Sequence, residues 1–416
     1  MKVWRATAVV LLGLALIAAR PGAKAEEAHA GRETADVGGA ADAKSRAKSD
    51  HLVPPFSGIE LDKWSVDGDE VVAPAPGGRL AHLALDPALQ RATERVLRNY
   101  KPFEAAAVVL ETQSGRVRVW ASHVEHGKAR DLCVEAVAPA ASIFKIVTGA
   151  ALVETAGLTP DLRQCYSGGE SRITELDLVD DPRRDHACAT LGEAMGRSLN
   201  TVFARLAKKH LSEADLGGMA TILGFGTPIP FDLEVAPSEA HFPKDPLGFA
   251  RTAAGFWNTT LSPIQAANLA ATVANGGEIV RPVLVESVTD RSGPVYHAPE
   301  RVVVRRAIRA ETAAALSSMM ENTVTLGTSA RAFRDNRGRA FLPNIGVAGK
   351  TGTLSSPDGK QLYTWFVGFA PIKAPEVALG VLVDNEPNFR AKANVVARDI
   401  LRAYFAEKGA PGVSRP

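Results

Sequence analysis

The sequence predicts an α/β protein of the α+β type, with one sheet drawn from both ends of the chain and a helical lobe between them. Three observations carry this. Two strand-like apolar runs, 105–111 and 116–122, flank a tight turn at Thr112-Gln113-Ser114-Gly115. Three more such runs, 345–354, 363–370 and 377–384, come late in the chain, separated by short turns. The stretch between the two groups is dominated by helical patterns with capping signals.

Taken in order, residues 1–25 read as a secretory leader. Lys2 and Arg5 give a basic start, residues 6–19 are apolar, and Ala23-Lys24-Ala25 offers small residues for cleavage. The run is short for a membrane span, which takes roughly 20 residues. A short uncleaved anchor is the alternative. Either form exports the body of the chain, to the periplasm or the outer face of the inner membrane. Residues 26–77 read as a flexible linker passing into an extended arm. Up to 50 they lack aromatics, and beyond it a few apolar residues lie among Pro and Gly. Order is expected from Gly78 to about 410.

Asp86 with Pro87 opens a helix to about Tyr100. A mostly apolar helix covers 139–154, and Gly157 stops it. Further helices are expected over 190–210, from Ser262-Pro263 to Asn275, over 310–324 and over 394–407. Hydrophobic residues make up 46% and charged residues 23% of the 416 positions, which is ordinary globular composition. The net charge of +2 suggests no nucleic-acid partner.

The chain has three cysteines. In an oxidising compartment Cys165 and Cys188, which bracket a polar, turn-rich excursion, are expected to pair and leave Cys133 free. Three buried thiols is the alternative. His123 and His126 near Cys133 are thin evidence for a metal, and no metal or cofactor is expected.

Ser142 and Lys145 carry the first chemical signal. Residues three apart share a helix face, so the hydroxyl and the amine can meet. A helix N-terminus favours developing negative charge on the serine. A lysine on an apolar helix needs a task or a partner. The pattern alone is weak, because Ser45-Arg46-Ala47-Lys48 repeats it in a polar tail. Ser198-Leu199-Asn200 adds a second hydroxyl that can relay a proton and an amide that can hold a carbonyl. Alone, it reads more readily as an N-cap serine and a turn asparagine, which are common. Lys350-Thr351-Gly352-Thr353 places a cation and two hydroxyls on a strand, with a glycine that admits a close ligand. Together they suit a carboxylate.

In this order the three motifs resemble the transpeptidase domain of penicillin-binding proteins, within the superfamily that includes serine β-lactamases and D,D-peptidases. Residues 261–277 (LSPIQAANLAATVANGG), 365–371 (WFVGFAP) and 85–90 (LDPALQ) are similar to further family segments. The resemblance implies an antiparallel five-stranded sheet flanked by helices, a second all-helical lobe and an active site in the cleft between. It implies a domain over 78–410 and a D,D-transpeptidase acting on D-Ala-D-Ala stem peptides of peptidoglycan. Ser142 forms the acyl-enzyme and Lys145 is its base. Ser198 relays the proton, Asn200 orients the peptide, and Lys350, Thr351, Gly352 and Thr353 receive the carboxylate of the substrate or of a β-lactam. A D,D-carboxypeptidase, a serine β-lactamase and a non-catalytic β-lactam receptor are the alternatives. The chain departs from the family in having Gly255-Phe256-Trp257 where Gly-Gln-Gly is usual, which is expected to set two aromatics near the cleft.

Overall fold

A computed structural model describes residues 56–169, 172–386 and 390–416. The expected leader, the linker up to residue 55 and the Ser45/Lys48 pair lie outside them. Strands β1 (Ser65–Asp67), β2 (Glu70–Ala75) and β3 (Arg79–Leu83) lead into α1 (Pro87–Tyr100), β4 (Glu104–Glu111) and β5 (Val117–Val124). The middle of the chain holds α2 (Lys145–Glu154), β6 (Arg163–Tyr166), β7 (Ala187–Thr190), α3 (Leu191–Arg197), α4 (Asn200–His210), α5 (Glu213–Ile222), α6 (Pro246–Ala253) and α7 (Pro263–Ala274). Then come β8 (Glu278–Val280), β9 (Val285–Asp290), β10 (Gly293–His297), β11 (Val303–Arg306) and α8 (Ala310–Thr325). Strands β12 (Ala348–Ser355), β13 (Leu362–Ala370) and β14 (Val377–Asn385) and helix α9 (Ala393–Glu407) complete it.

The main sheet is antiparallel with strand order β12-β13-β14-β4-β5, so the two ends of the chain do build one sheet. Side chains alternate across β4. Ala105, Ala107 and Val109 pack with Leu89 and Leu97 of α1 and Ile400 of α9 on one face. Ala106, Val108 and Leu110 join the core on the other, with Ile264 and Leu269 of α7. All nine residues of β14 are buried, as expected of a central strand covered on both faces. Helix α1 begins where the sequence indicates: the Asp86 carboxylate accepts from the Ala88 and Leu89 amides, with Pro87 in the first turn.

Two features differ from the sequence reading. Residues 65–75, expected in the arm, form β1 and β2, and the boundary placed at residue 78 falls in the β2–β3 hairpin. A second five-stranded sheet, β1-β2-β3-β9-β10, results. Its signal is hard to read locally, because β3 pairs with β9 about two hundred residues away, through contacts such as Ala81 with Val288. The single helix expected over 190–210 is two, α3 and α4. Ser198 breaks it by adopting a left-handed conformation, φ 60° and ψ 41°, which costs a non-glycine residue about 1 kcal/mol or more.

Candidate active site

The nucleophile motif is not a uniform α-helix. Ala141–Phe144 is a 3-10 turn that runs directly into α2. In 3-10 geometry residues i and i+3 eclipse, so Ser142 and Lys145 lie one above the other. The turn is clamped from two sides. Trp365 of β13 donates from Nε1 to the Pro139 carbonyl over 2.9 Å. Gly352 of β12 lies beneath it, and a Cβ there would be 3.2 Å from Ile143 Cγ1 and 3.3 Å from Ala141 Cβ. The glycine of this strand therefore admits the nucleophile turn, where the sequence reading had it admit a ligand.

Lys145 is fully buried. Its Nζ lies 2.7 Å from Ser142 Oγ, 2.7 Å from Asn200 Oδ1 and 2.6 Å from the Ala254 carbonyl. Burial, followed by the charge of Lys350, holds its pKa well below the ordinary lysine value. In the neutral amine two N–H bonds serve Asn200 and Ala254, and the lone pair faces the Ser142 hydroxyl. That is the geometry of a base.

Lys350 is also fully buried, and burial brings its pKa down to about 7. Its Nζ donates to Ser198 Oγ and to the Thr351 carbonyl, each over 2.8 Å. The left-handed turn at Ser198 sets this hydroxyl against β12, while the start of α4 sets Asn200 against Lys145. Thr351 Oγ1 lies 2.6 Å from Thr328 Oγ1, just beyond α8.

The residues singled out in the sequence thus converge: Ser142, Lys145 and Asn200 form one cluster, and Ser198, Lys350 and Thr351 a second one abutting it. A cavity of about 220 Å³ opens at Ser142 and reaches Asn200 and Thr353. Its remaining wall includes Phe256, Leu354 and Leu362. Sequence reasoning did not find Thr328, the Ala254 carbonyl, Leu354 or Leu362. None belongs to a motif, and only the Gly-Phe-Trp departure pointed to this wall. Trp257, expected beside Phe256 at the cleft, is 38% exposed and does not line the cavity.

Cys165 and Cys188 are joined in a disulfide, and Cys133 is free and buried. The strapped excursion rests on α4. Arg205, fully buried, donates to the Asp177 and Cys165 carbonyls and to both carboxylate oxygens of Asp185. Thr201, next to Asn200, donates to the Gly168 carbonyl over 2.9 Å. Among the described residues no group of three or more His, Cys, Asp or Glu side chains is arranged to hold a metal.

A serine hydroxyl against a buried amine of lowered pKa, at the edge of an antiparallel sheet, defines a serine-type acyl-transfer enzyme. The comparisons with known proteins make the family plain. The chain belongs to the penicillin binding protein transpeptidase domain family, whose model matches residues 105–404. It is 28% identical over 367 residues to peptidoglycan D,D-transpeptidase PbpA of Mycobacterium tuberculosis, covering 79% of this chain and 72% of that protein. It is 26% identical to stage V sporulation protein D of Bacillus subtilis, covering 78% of this chain and 52% of that protein. Among solved structures it resembles penicillin-binding protein A from M. tuberculosis in its imipenem acyl-enzyme complex, with a TM-score of 0.66, 25% identity and 80% of each chain covered.

Proposed function

We propose that this protein is a peptidoglycan D,D-transpeptidase that works through an acyl-enzyme on Ser142. The observation that carries the reading is the three-way environment of Lys145, which leaves an unprotonated amine one direction to act, towards Ser142 Oγ. Ser142 attacks the carbonyl of the penultimate D-Ala, and its proton passes to Lys145. The oxyanion forms against the amides of Ser142 and Thr353, where each donor is worth roughly 3–4 kcal/mol. On collapse the C–N bond breaks, Ser198 gives its proton to the departing D-Ala nitrogen and is reprotonated with the one Lys145 took from Ser142, and the acyl group remains as an ester on Ser142. The amine of an acceptor stem then attacks that ester, its proton is taken up at the site, and Ser142 recovers its own. Lys350, Thr351 and Thr353 hold the terminal carboxylate of the donor, and a β-lactam carboxylate takes the same place.

No Asp or Glu lines the cavity at Ser142 among the described residues. That leaves no carboxylate at the cavity to activate a water against the ester. The leader-like residues 1–25 support export and action in the periplasm or at the outer face of the inner membrane. No helix among the described residues is long and apolar enough to cross a membrane.

The test is to incubate purified protein with a pentapeptide stem, with and without an amine acceptor, and to weigh the products. Transfer to the amine supports the proposal. Release of D-Ala with water alone, acceptor present, indicates a carboxypeptidase. No turnover of the stem overturns the enzymatic reading.

A further inference from the structure

We infer that Thr148 is a positioning residue for the base: by holding the Ala253 carbonyl, it leaves Lys145 no more acceptors than an unprotonated amine can serve. The inference deepens the proposed reaction and rests on Lys145 taking the Ser142 proton.

The last carbonyls of a helix have no partner within it, and a buried one needs a donor from elsewhere. At the end of α6 the Ala250, Arg251 and Thr252 carbonyls accept from the amides of Ala254, Phe256 and Gly255. Ala253 and Ala254 are buried, out of reach of bulk water. Side chains of α2 serve their carbonyls. Thr148 Oγ1 donates to the Ala253 carbonyl over 2.8 Å, and Lys145 Nζ to the Ala254 carbonyl over 2.6 Å. Residues three apart share a helix face, so the hydroxyl and the amine meet the same end of α6. Thr148 is itself fully buried. The Phe144 carbonyl, its other acceptor, is more distant at 3.4 Å.

The number of acceptors selects the protonation state of the amine. A neutral lysine has two N–H bonds and a lone pair, whereas an ammonium has three N–H bonds and no lone pair. Asn200 Oδ1 and the Ala254 carbonyl take two N–H bonds and leave the lone pair to Ser142 Oγ. Without the Thr148 hydroxyl, the Ala253 carbonyl is a buried acceptor that has lost its donor, a costly state. Lys145 Nζ, bound to the next carbonyl along the chain, is placed to relieve it. It serves a further acceptor as an ammonium, which has no lone pair for Ser142. Of the groups around the amine, Lys350 of β12 is charged and opposes protonation. Helix α4 contributes the uncharged Asn200 and the ring of Phe203, whose centre lies 5.8 Å from Nζ.

The experiment follows acylation of Ser142 by excess fluorescent penicillin as a function of pH, in the full-length protein, with mass spectrometry locating the label. First-order rate constants are compared, because they do not depend on how much of the sample is folded. Thr148→Val keeps the shape of the side chain and removes the hydroxyl. Favouring the ammonium raises the pH at which the lone pair is freed. The ascending limb is therefore expected to move up by about 0.5–1 pH unit. On the acid side the variant is then about three- to tenfold slower than wild type, and the deficit shrinks as pH rises. Thr148→Ser, which keeps the hydroxyl, returns the limb to its wild-type position. Thr148→Cys, with a weak thiol donor, moves it part of the way and carries the test where the valine variant is not labelled. A limb unmoved in the valine and cysteine variants, or a rate lowered by the same factor at every pH, overturns the role of Thr148. A wild type labelled at Ser142 with no ascending limb overturns Lys145 as the base, and the inference with it. A wild type labelled elsewhere overturns the nucleophile assignment as well.

Discussion

Lys350 Nζ donates to Ser198 Oγ over 2.8 Å, joining residues 152 positions apart and setting one buried lysine close to another. The charge of Lys350 is the second cause, after burial, of the lowered pKa of Lys145. The two lysines therefore need opposite states. Lys145 accepts a proton only when neutral, whereas Lys350 attracts a carboxylate only when charged.

A pH profile follows from this. The neutral fraction of Lys145 grows as pH rises, so acylation by a fluorescent penicillin climbs on the acid side. Lys350 loses its charge as pH rises through about 7, so kcat/KM falls on the alkaline side. In Lys350→Met the descending limb is expected to vanish and the ascending limb to move to higher pH, because the repulsion on Lys145 is gone. The rate at the optimum drops about 100-fold or more. A Lys350→Met profile with the wild-type shape would contradict the coupling.

Thr328 is expected to position the Thr351 hydroxyl. Thr328→Val removes one hydrogen bond, worth roughly 0.5–1.5 kcal/mol, and should raise KM for a donor peptide about two- to tenfold with little change in kcat. Thr328→Ser should restore KM. An effect confined to kcat would assign Thr328 another role.

Arg205 and the disulfide hold the same excursion against α4. Arg205→Met strands the Asp185 carboxylate, whose side chain is 4% exposed, and should destabilise the protein by about 3 kcal/mol. Reducing the Cys165–Cys188 bond should cost about 3 kcal/mol by loosening the unfolded-state constraint. Denaturant midpoints with and without reductant check both. The two losses are expected to add incompletely, since both release one segment.

Gly255 sits where only glycine fits. Gly255→Ala forces a methyl group against the Ala141 carbonyl in a left-handed backbone. Acylation of Ser142 should fall more than about tenfold, with the far-UV spectrum unchanged. Wild-type rates in this variant would show that the turn tolerates displacement.

Much of this was readable along the chain because the signals are local. The Asp86-Pro87 cap starts its helix where expected. The Ser142/Lys145 spacing needs only one turn of helix, and the paired Lys350 strand follows from its apolar run and flanking turns. The sheet shared by both ends was inferred from strand count alone. Where reading failed, the cause was non-local. Residues 65–75 look like an arm because their partner β3, and beyond it β9, supply the burial that makes Val71 and Ala73 core residues. The helical pattern over 190–210 contains no proline, the cap-and-turn reading of Ser198-Leu199-Asn200 is its one local sign of a break, and that break is sustained by contacts with distant Lys350.

The sequence alone determined which residues are proposed to carry the chemistry, since hydroxyls and amines of the right kind occur at spacings that a turn and a strand can present. Only the tertiary structure decided their states and limits. Burial, which no spacing encodes, lowers both lysines. The Ala254 carbonyl and Asn200 take up two directions around Lys145 and leave the third for Ser142. Gly352 and Gly255 bring two distant backbones against the nucleophile, and the wall beyond it comes from Phe256, Leu354 and Leu362. These are properties of close packing between segments remote in the chain, and they arise only when the segments meet.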